Sequence, residues 1–218
     1  MTDNIEPKKR EPIFNNMPSG VLIIGGIMVA IEVYLQIFGL ESRRTLIIYF
    51  SFVPKIFLSQ FQELYFGDYY FRFISHTFLH GDFFHMILNV VVLIAVGKHI
   101  EENLGLLKFL IIFFISAISG ALFFQVIDPT HTSPLVGASS SVYGLLAFFF
   151  GRDFFVRLKN SMPIQPVINI AVLMILIHIP LVLWGPLLFG AEIGWQGHLG
   201  GAISGFLLLF FIREDKAK

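Results

Sequence analysis

Apolar residues dominate six stretches of this 218-residue chain, at 20–40, 83–102, 106–127, 139–155, 166–189 and 196–212. Mostly apolar and near 20 residues long, each is suited to cross a hydrocarbon layer about 30 Å thick. Lipid offers no partner to a backbone N–H or C=O, so such segments must satisfy their hydrogen bonds internally as helices. The pattern predicts an all-α membrane protein of six spanning helices, the fourth of them short. Residues 1–19 and 213–218 are polar tails flanking a membrane domain over 20–212.

Between the first two runs lies a long connection, residues 41–82. Its stretch "VPKIFLSQFQELYFGDYYFRF" is too broken to span and too aromatic to float in water. It is expected to lie partly in the headgroups as an interfacial loop.

Composition sharpens this picture. Hydrophobic residues make up 56% and charged residues 14%, against about a quarter charged in soluble domains. The formal net charge is zero, which gives no electrostatic case for a nucleic-acid partner. No cysteine is present, so disulfides, thiolate metal sites and a cysteine nucleophile are excluded. The run at 20–40 is too long for the apolar core of a cleaved signal peptide and is read as a retained helix.

The basic residues orient the bundle. With the N-terminus inside, the inner segments hold Lys8, Lys9, Arg10, Lys98, Lys108, Arg152, Arg157, Lys159, Arg213, Lys216 and Lys218, and the outer ones only Arg43, Arg44, Lys55 and Arg72. Positive charge favours the cytoplasmic side, so both termini are expected there. Helices two, four and six then begin at the outer face.

Polar side chains gather at those three beginnings. Helix two opens with "HMILN", placing His85 and Asn89 four apart on one face. Helix four opens with "GASSSVYG", where Ser139 and Tyr143 have the same spacing, and helix six with "GHLGGAISG", carrying His198. Polar groups inside spans are costly and mark function. Gly197, Gly201 and Gly205 recur at four-residue intervals, as do Gly200 and Ser204, and small-residue stripes let helices approach closely. Close approach of helices four and six would bring His198 to a serine. A serine bonded to histidine is an activated nucleophile, with the histidine taking and returning the proton. His85, Asn89 and the unpaired N–H groups opening helix four, Ser139 included, could stabilise an oxyanion. With no acidic residue near His198 in sequence except Glu192, a dyad is favoured over a triad.

These motifs carry a resemblance. The pieces "HTFLHGDFFHMILN", "GKHIEENLG", "GASSSVYG" and "GHLGGAISG", spread from about Arg72 to Gly205, resemble the rhomboid family of intramembrane serine proteases. The resemblance implies a rhomboid-like six-helix bundle that cleaves transmembrane segments of other membrane proteins. It implies Ser139 in the Gly137-Ala138-Ser139-Ser140 motif as nucleophile and His198 as base. It also implies His85 and Asn89 as oxyanion donors, Tyr143 stacked on the base, and structural roles for Arg72 and Glu101. Entry of the substrate between helices two and five, under the loop at 190–195, is likewise implied. The sequence departs from the family pattern at Ser140, where Gly is usual, and at Phe71, where Trp is usual.

Other polar residues receive plainer readings. Ser140 and Ser141 are expected to bond the preceding helical turn. His76 and His80, four apart, could form a metal pair but lack a third ligand, so hydrogen bonding within the loop is favoured, and no metal or cofactor is expected. His178, two residues before Pro180, reads as packing at a proline kink, and Glu32 is assigned no chemistry. Gly137, Gly197 and Gly201 are read as close-approach positions. The rivals are a non-catalytic rhomboid-like protein that binds and escorts transmembrane clients, and a histidine-based transporter, which would need more acidic residues within the spans. The expected partners are transmembrane substrates and the lipid bilayer. A bacterial inner membrane is the simplest location for so compact a chain.

Overall fold

The computed structural model describes residues 17–62, 69–189 and 192–213. Most of both tails, including Lys8, Lys9, Arg10, Lys216 and Lys218, lies outside the described residues, as do 63–68 of the interfacial connection and 190–191 of the loop before the last helix.

Nine α-helices are present among the described residues: α1 Ser19–Phe50, α2 Pro54–Gln62, α3 Arg72–Ser75, α4 Phe83–Val92, α5 Lys98–Leu104, α6 Leu106–Ile127, α7 Ser139–Lys159, α8 Gln165–Phe189 and α9 Trp195–Leu208. A π-helical turn, Leu93–Gly97, joins α4 to α5 without a break. Four helices are long and apolar enough to cross a membrane: Ser19–Phe50, Phe83–Leu104, Leu106–Ile127 and Gln165–Gly185. The segments expected at 139–155 and 196–212 lie in α7 and α9. The former runs on past 155 into Arg157 and Lys159, and the latter is 14 residues long.

Local chemistry sets these boundaries. Asp82 caps α4, its carboxylate accepting from the His85 N–H at 2.9 Å, which satisfies an otherwise orphaned donor. Gly105, at φ 84°, separates α5 from α6 in a conformation other residues resist. The first helix outruns its expected end at 40. The chain bends at Gly39, with φ 80°, and resumes helical structure to Phe50. Gly39 absorbs the bend, and the helix then continues through Glu41–Arg44, the polar positions that suggested a loop.

Two clusters fill the interior. The larger joins Met28 and Ile24 of α1, Leu93 and Ile100 around the π turn, Phe109 and Phe113 of α6, and Leu145 and Phe148 of α7. The smaller holds Phe52, Tyr69 and Phe73 from the connection after α1 against Ala121 and Phe124 of α6 and Leu135. Phe52 and Leu135 also exchange both backbone hydrogen bonds, at 3.3 and 2.8 Å, so the connection is stitched to the segment that leads into α7.

Two buried carboxylates have specific partners. Glu101 accepts from the N–H groups of Gly20 and Val21 at 2.8 and 2.9 Å, and from Ser19 Oγ at 3.4 Å. It therefore caps the start of α1 from eighty residues away, meeting the helix's positive end. Glu32, 1% exposed, forms a bidentate pair with Arg43 beyond the Gly39 bend, at 2.7 and 3.0 Å. The same guanidinium donates to the His80 carbonyl at 2.7 Å.

The helices differ sharply in how they are held. α6, α7 and α9 form a tight three-helix unit, whereas α8 touches mainly α7. Only 6% of the α8 span is buried within the protein, against 33–44% for the other three.

Candidate active site

The site is built where α7 and α9 cross. Ser139 is the first residue of α7, preceded by Gly137 at φ 106°. Left-handed backbone is nearly free only for glycine, and space forbids anything larger: a Cβ on Gly137 would lie 2.7 Å from His85 Nε2. The turn is also held by the Gly137 N–H donating to the His76 carbonyl at 2.9 Å. The Ala138 N–H points at His80 Nε2, 3.4 Å away.

Across from this turn, the glycines of α9 meet bare backbone. A Cβ on Gly201 would collide with the Ser140 carbonyl, and one on Gly205 with the Gly144 carbonyl. A Cβ on Gly197 would lie 2.9 Å from Ser140 Oγ. No side chain on α9 fits at these three positions. The consequence is direct contact across 59 residues of sequence: His198 Nε2 and Ser139 Oγ are 2.8 Å apart.

His198 is fixed by rings as well as by that bond. Tyr143 lies parallel to His198, with centroids 4.5 Å apart and planes at 7°. His178 of α8 approaches His198 edge-on at 5.0 Å, and its Nδ1 is 2.8 Å from the Tyr143 hydroxyl. His198 Nδ1 is buried without a hydrogen-bond partner among the described residues. Glu192 lies elsewhere, its carboxylate 3.3 Å from His131 Nε2.

The three serines occupy different surroundings. Ser139 is half-buried, while Ser140 and Ser141 are buried. Ser140 Oγ is wedged between Gly120 of α6 and Gly197 of α9. Neither Ser140 Oγ nor Ser141 Oγ has a hydrogen-bond partner among the described residues, so the expected bond to the preceding turn is replaced by helix-to-helix packing.

On α4, His85 faces the Gly137 turn and its ring meets that of His80 edge-on at 5.1 Å. Asn89 Nδ2 donates to the His85 carbonyl at 2.8 Å; its second N–H is available to another acceptor. His76 Nδ1 contacts the Arg72 carbonyl at 2.9 Å. Arg72 in turn donates to the carbonyls of Ile48 and Ser51 at 2.7 and 3.3 Å. Burial lowers the imidazole pKa of His76 to about 4 and that of His80 to about 3, the latter also under the repulsion of His85 and Arg43. Both rings are neutral at neutral pH. Among the described residues no cluster of three or more His, Cys, Asp or Glu is arranged to hold a metal ion.

Arg72, Glu101, His76 and His80 therefore lie in the frame around the turn and helix ends, while Ser139, His198, Tyr143 and His85 converge on one spot. His178, read from the sequence as packing beside Pro180, meets the ring and hydroxyl of Tyr143 on another helix. Its one signal was a titratable group inside an otherwise apolar span.

Known proteins bear on this arrangement. A family model for the Rhomboid domain matches residues 67–215. Rhomboid-like protease 3 of Toxoplasma gondii is 30% identical over 66% of this chain and 52% of its own length. Rhomboid protease GlpG of Haemophilus influenzae is 32% identical over 62% of this chain and 66% of its own. Rhomboid protease GluP of Bacillus subtilis is 25% identical over 93% of this chain and 36% of its own. The chain thus spans about half the length of the first of these relatives and about a third of the last. With the family model covering most of the membrane helices and the whole Ser139–His198 site, this integral membrane protein belongs to the rhomboid family.

Proposed function

We propose that the chain is an intramembrane serine endopeptidase that cuts transmembrane segments of other membrane proteins near the outer membrane face. The observation that carries this reading is the 2.8 Å contact between Ser139 Oγ and His198 Nε2. A rhomboid-like protein that only escorts clients would have no use for that pair, nor for a tyrosine stacked on the imidazole.

In the proposed reaction His198 takes the Ser139 proton as Oγ attacks the scissile carbonyl, then gives it to the departing amine. Water, activated by the same imidazole, hydrolyses the acyl-enzyme. The oxyanion would meet the first N–H groups of α7, Ser139 among them, with His85 and Asn89 contributing side-chain donors. The imidazolium formed in each half-reaction lies against the face of Tyr143, a favourable cation–π placement. Ser140, wedged between glycines, is poorly placed to attack.

The proposed setting is a six-helix membrane domain over 20–212, with α7 and α9 as its fourth and last members and polar tails at 1–19 and 213–218 in the cytoplasm. The distribution of Lys and Arg supports that orientation, and a bacterial inner membrane is the proposed location. The substrate helix would enter beside α8, the helix least held by its neighbours, and would have to unwind locally to expose a peptide bond.

Labelling of the detergent-solubilised protein with a fluorophosphonate tests the reading. Labelling is expected in the wild type and absent in Ser139→Ala and His198→Ala. Labelling that persists in Ser139→Ala, or a wild type that is folded yet unlabelled, would overturn it.

A further inference from the structure

The contact between α8 and the base has a consequence for how the enzyme opens. α8 is the least buried of the long helices, and its one side-chain hydrogen bond to another helix, among the described residues, joins His178 Nδ1 to the Tyr143 hydroxyl at 2.8 Å. Tyr143 is the residue stacked on His198 at 4.5 Å. His178 lies within an otherwise apolar stretch, "VLMILIHIPLVLW", where an imidazole is costly unless it has a partner.

We infer that His178 is a positioning residue, a latch that fastens α8 to the catalytic base through Tyr143. With α8 in place, the hydrogen bond fixes the tyrosine ring and so the plane of His198. When α8 swings aside to admit a substrate helix, the bond breaks and the ring is freed. Opening and base orientation are thereby coupled, and the site is fully ordered only when α8 returns. The inference rests on the proteolytic reading given above.

The geometry makes the coupling specific to two atoms. Tyr143→Phe removes the hydroxyl and keeps the stacked ring. His178→Phe removes the nitrogen and keeps an aromatic of similar size. If the latch acts, each variant lowers the fluorophosphonate labelling rate about fivefold, the factor matching one hydrogen bond of ordinary net worth. The double variant should be no slower than either single one, the signature of a shared interaction. His178→Gln, which can still bond the hydroxyl, should recover part of the rate.

The second readout is the position of α8. The chain has no cysteine, so spin labels can be placed cleanly at Leu183 on α8 and Leu122 on α6, both exposed at 65% and 44%. Both Phe variants should broaden the distance distribution toward longer values, which a merely local defect at the base would not do. Additive labelling losses, or an unchanged α8 distribution, would overturn the latch. Loss of the whole proteolytic reading would show differently, as a wild type whose labelling does not depend on Ser139.

Discussion

Substituting Gly201 by alanine adds one methyl group where α9 meets α7. That Cβ would lie 2.7 Å from the Ser140 carbonyl carbon and closer still to its oxygen, whereas ordinary contact begins at 3.4 Å. The obstacle is backbone, which cannot rotate away. The helices must therefore part by at least 0.7 Å, the difference between those two distances. If they separate as rigid rods, the 2.8 Å contact between Ser139 and His198 lengthens to about 3.5 Å, past the useful range of a hydrogen bond. Misplacement on the order of 1 Å costs about 100-fold in rate, and overpacking of this kind destabilises by about 1–3 kcal/mol. Alanine's better helix propensity, worth up to about 1 kcal/mol, acts in the opposite direction. Gly201→Ala should thus lower the fluorophosphonate labelling rate by about 100-fold while remaining largely folded, as followed by thermal denaturation in detergent. Gly26→Ala is the control, since nothing lies within 4 Å of its Cβ, and it should be neutral or slightly stabilising. Wild-type labelling in Gly201→Ala, with an unchanged melting temperature, would refute the claim that this glycine sets the distance between Ser139 and His198.

Three further outcomes follow from the frame around the site. Glu101→Ala removes the acceptor for two N–H groups at the start of α1 and should cost about 1–3 kcal/mol, read as a lower melting temperature; an unaltered value would show that the cap contributes nothing. Arg43→Ala leaves Glu32 buried without its partner and should cost about 3–5 kcal/mol, whereas the double variant Arg43→Ala with Glu32→Gln should recover part of that loss; failure to recover would sink the ion-pair argument. His76 and His80 are neutral in the folded protein, with pKa values lowered to about 4 and about 3 from the ordinary 6.5. The stability they contribute is whole above pH 6.5 and declines as the pH falls below it toward those values, because the unfolded chain takes up protons first. Each should contribute a slope of up to about 1.4 kcal/mol per pH unit. Thermal denaturation between pH 6.5 and 5, above the range where most carboxylates titrate, should show this decline, and a flat profile would contradict it.

Much of this arrangement could be read from the chain, for definite reasons. The approach of Ser139 to His198 was legible because glycines at 197, 201 and 205 repeat on one helical face, and repetition at that spacing has few meanings in a membrane. The convergence of His85 with the same spot followed from helices that begin on one side. What escaped the sequence depends on direction in space. His178 reaches Tyr143 only through the rotation and lean of α8, which an apolar helix does not encode in its pattern. Glu32 finds Arg43 because the chain bends at Gly39 and resumes its helix, so that a residue within a span meets one beyond it. The ends of α1 and α7 were misplaced for a related reason: hydropathy marks where lipid contact fades, whereas a helix continues until its hydrogen bonding is interrupted.

The π turn at Leu93–Gly97 carries a consequence for the long segment it interrupts. A wide turn of this kind holds one residue more than an α-helical turn, and each α-helical residue advances the face by about 100°. The segment therefore works like a shaft with an offset machined into it: His85 and Asn89 point one way at its first end, and Glu101 points toward the start of α1 at the other. Were the same residues wound evenly as an α-helix, one end would swing by about a quarter turn relative to the other. The chain could then keep its grip on the first helix or its face toward Ser139, but not both.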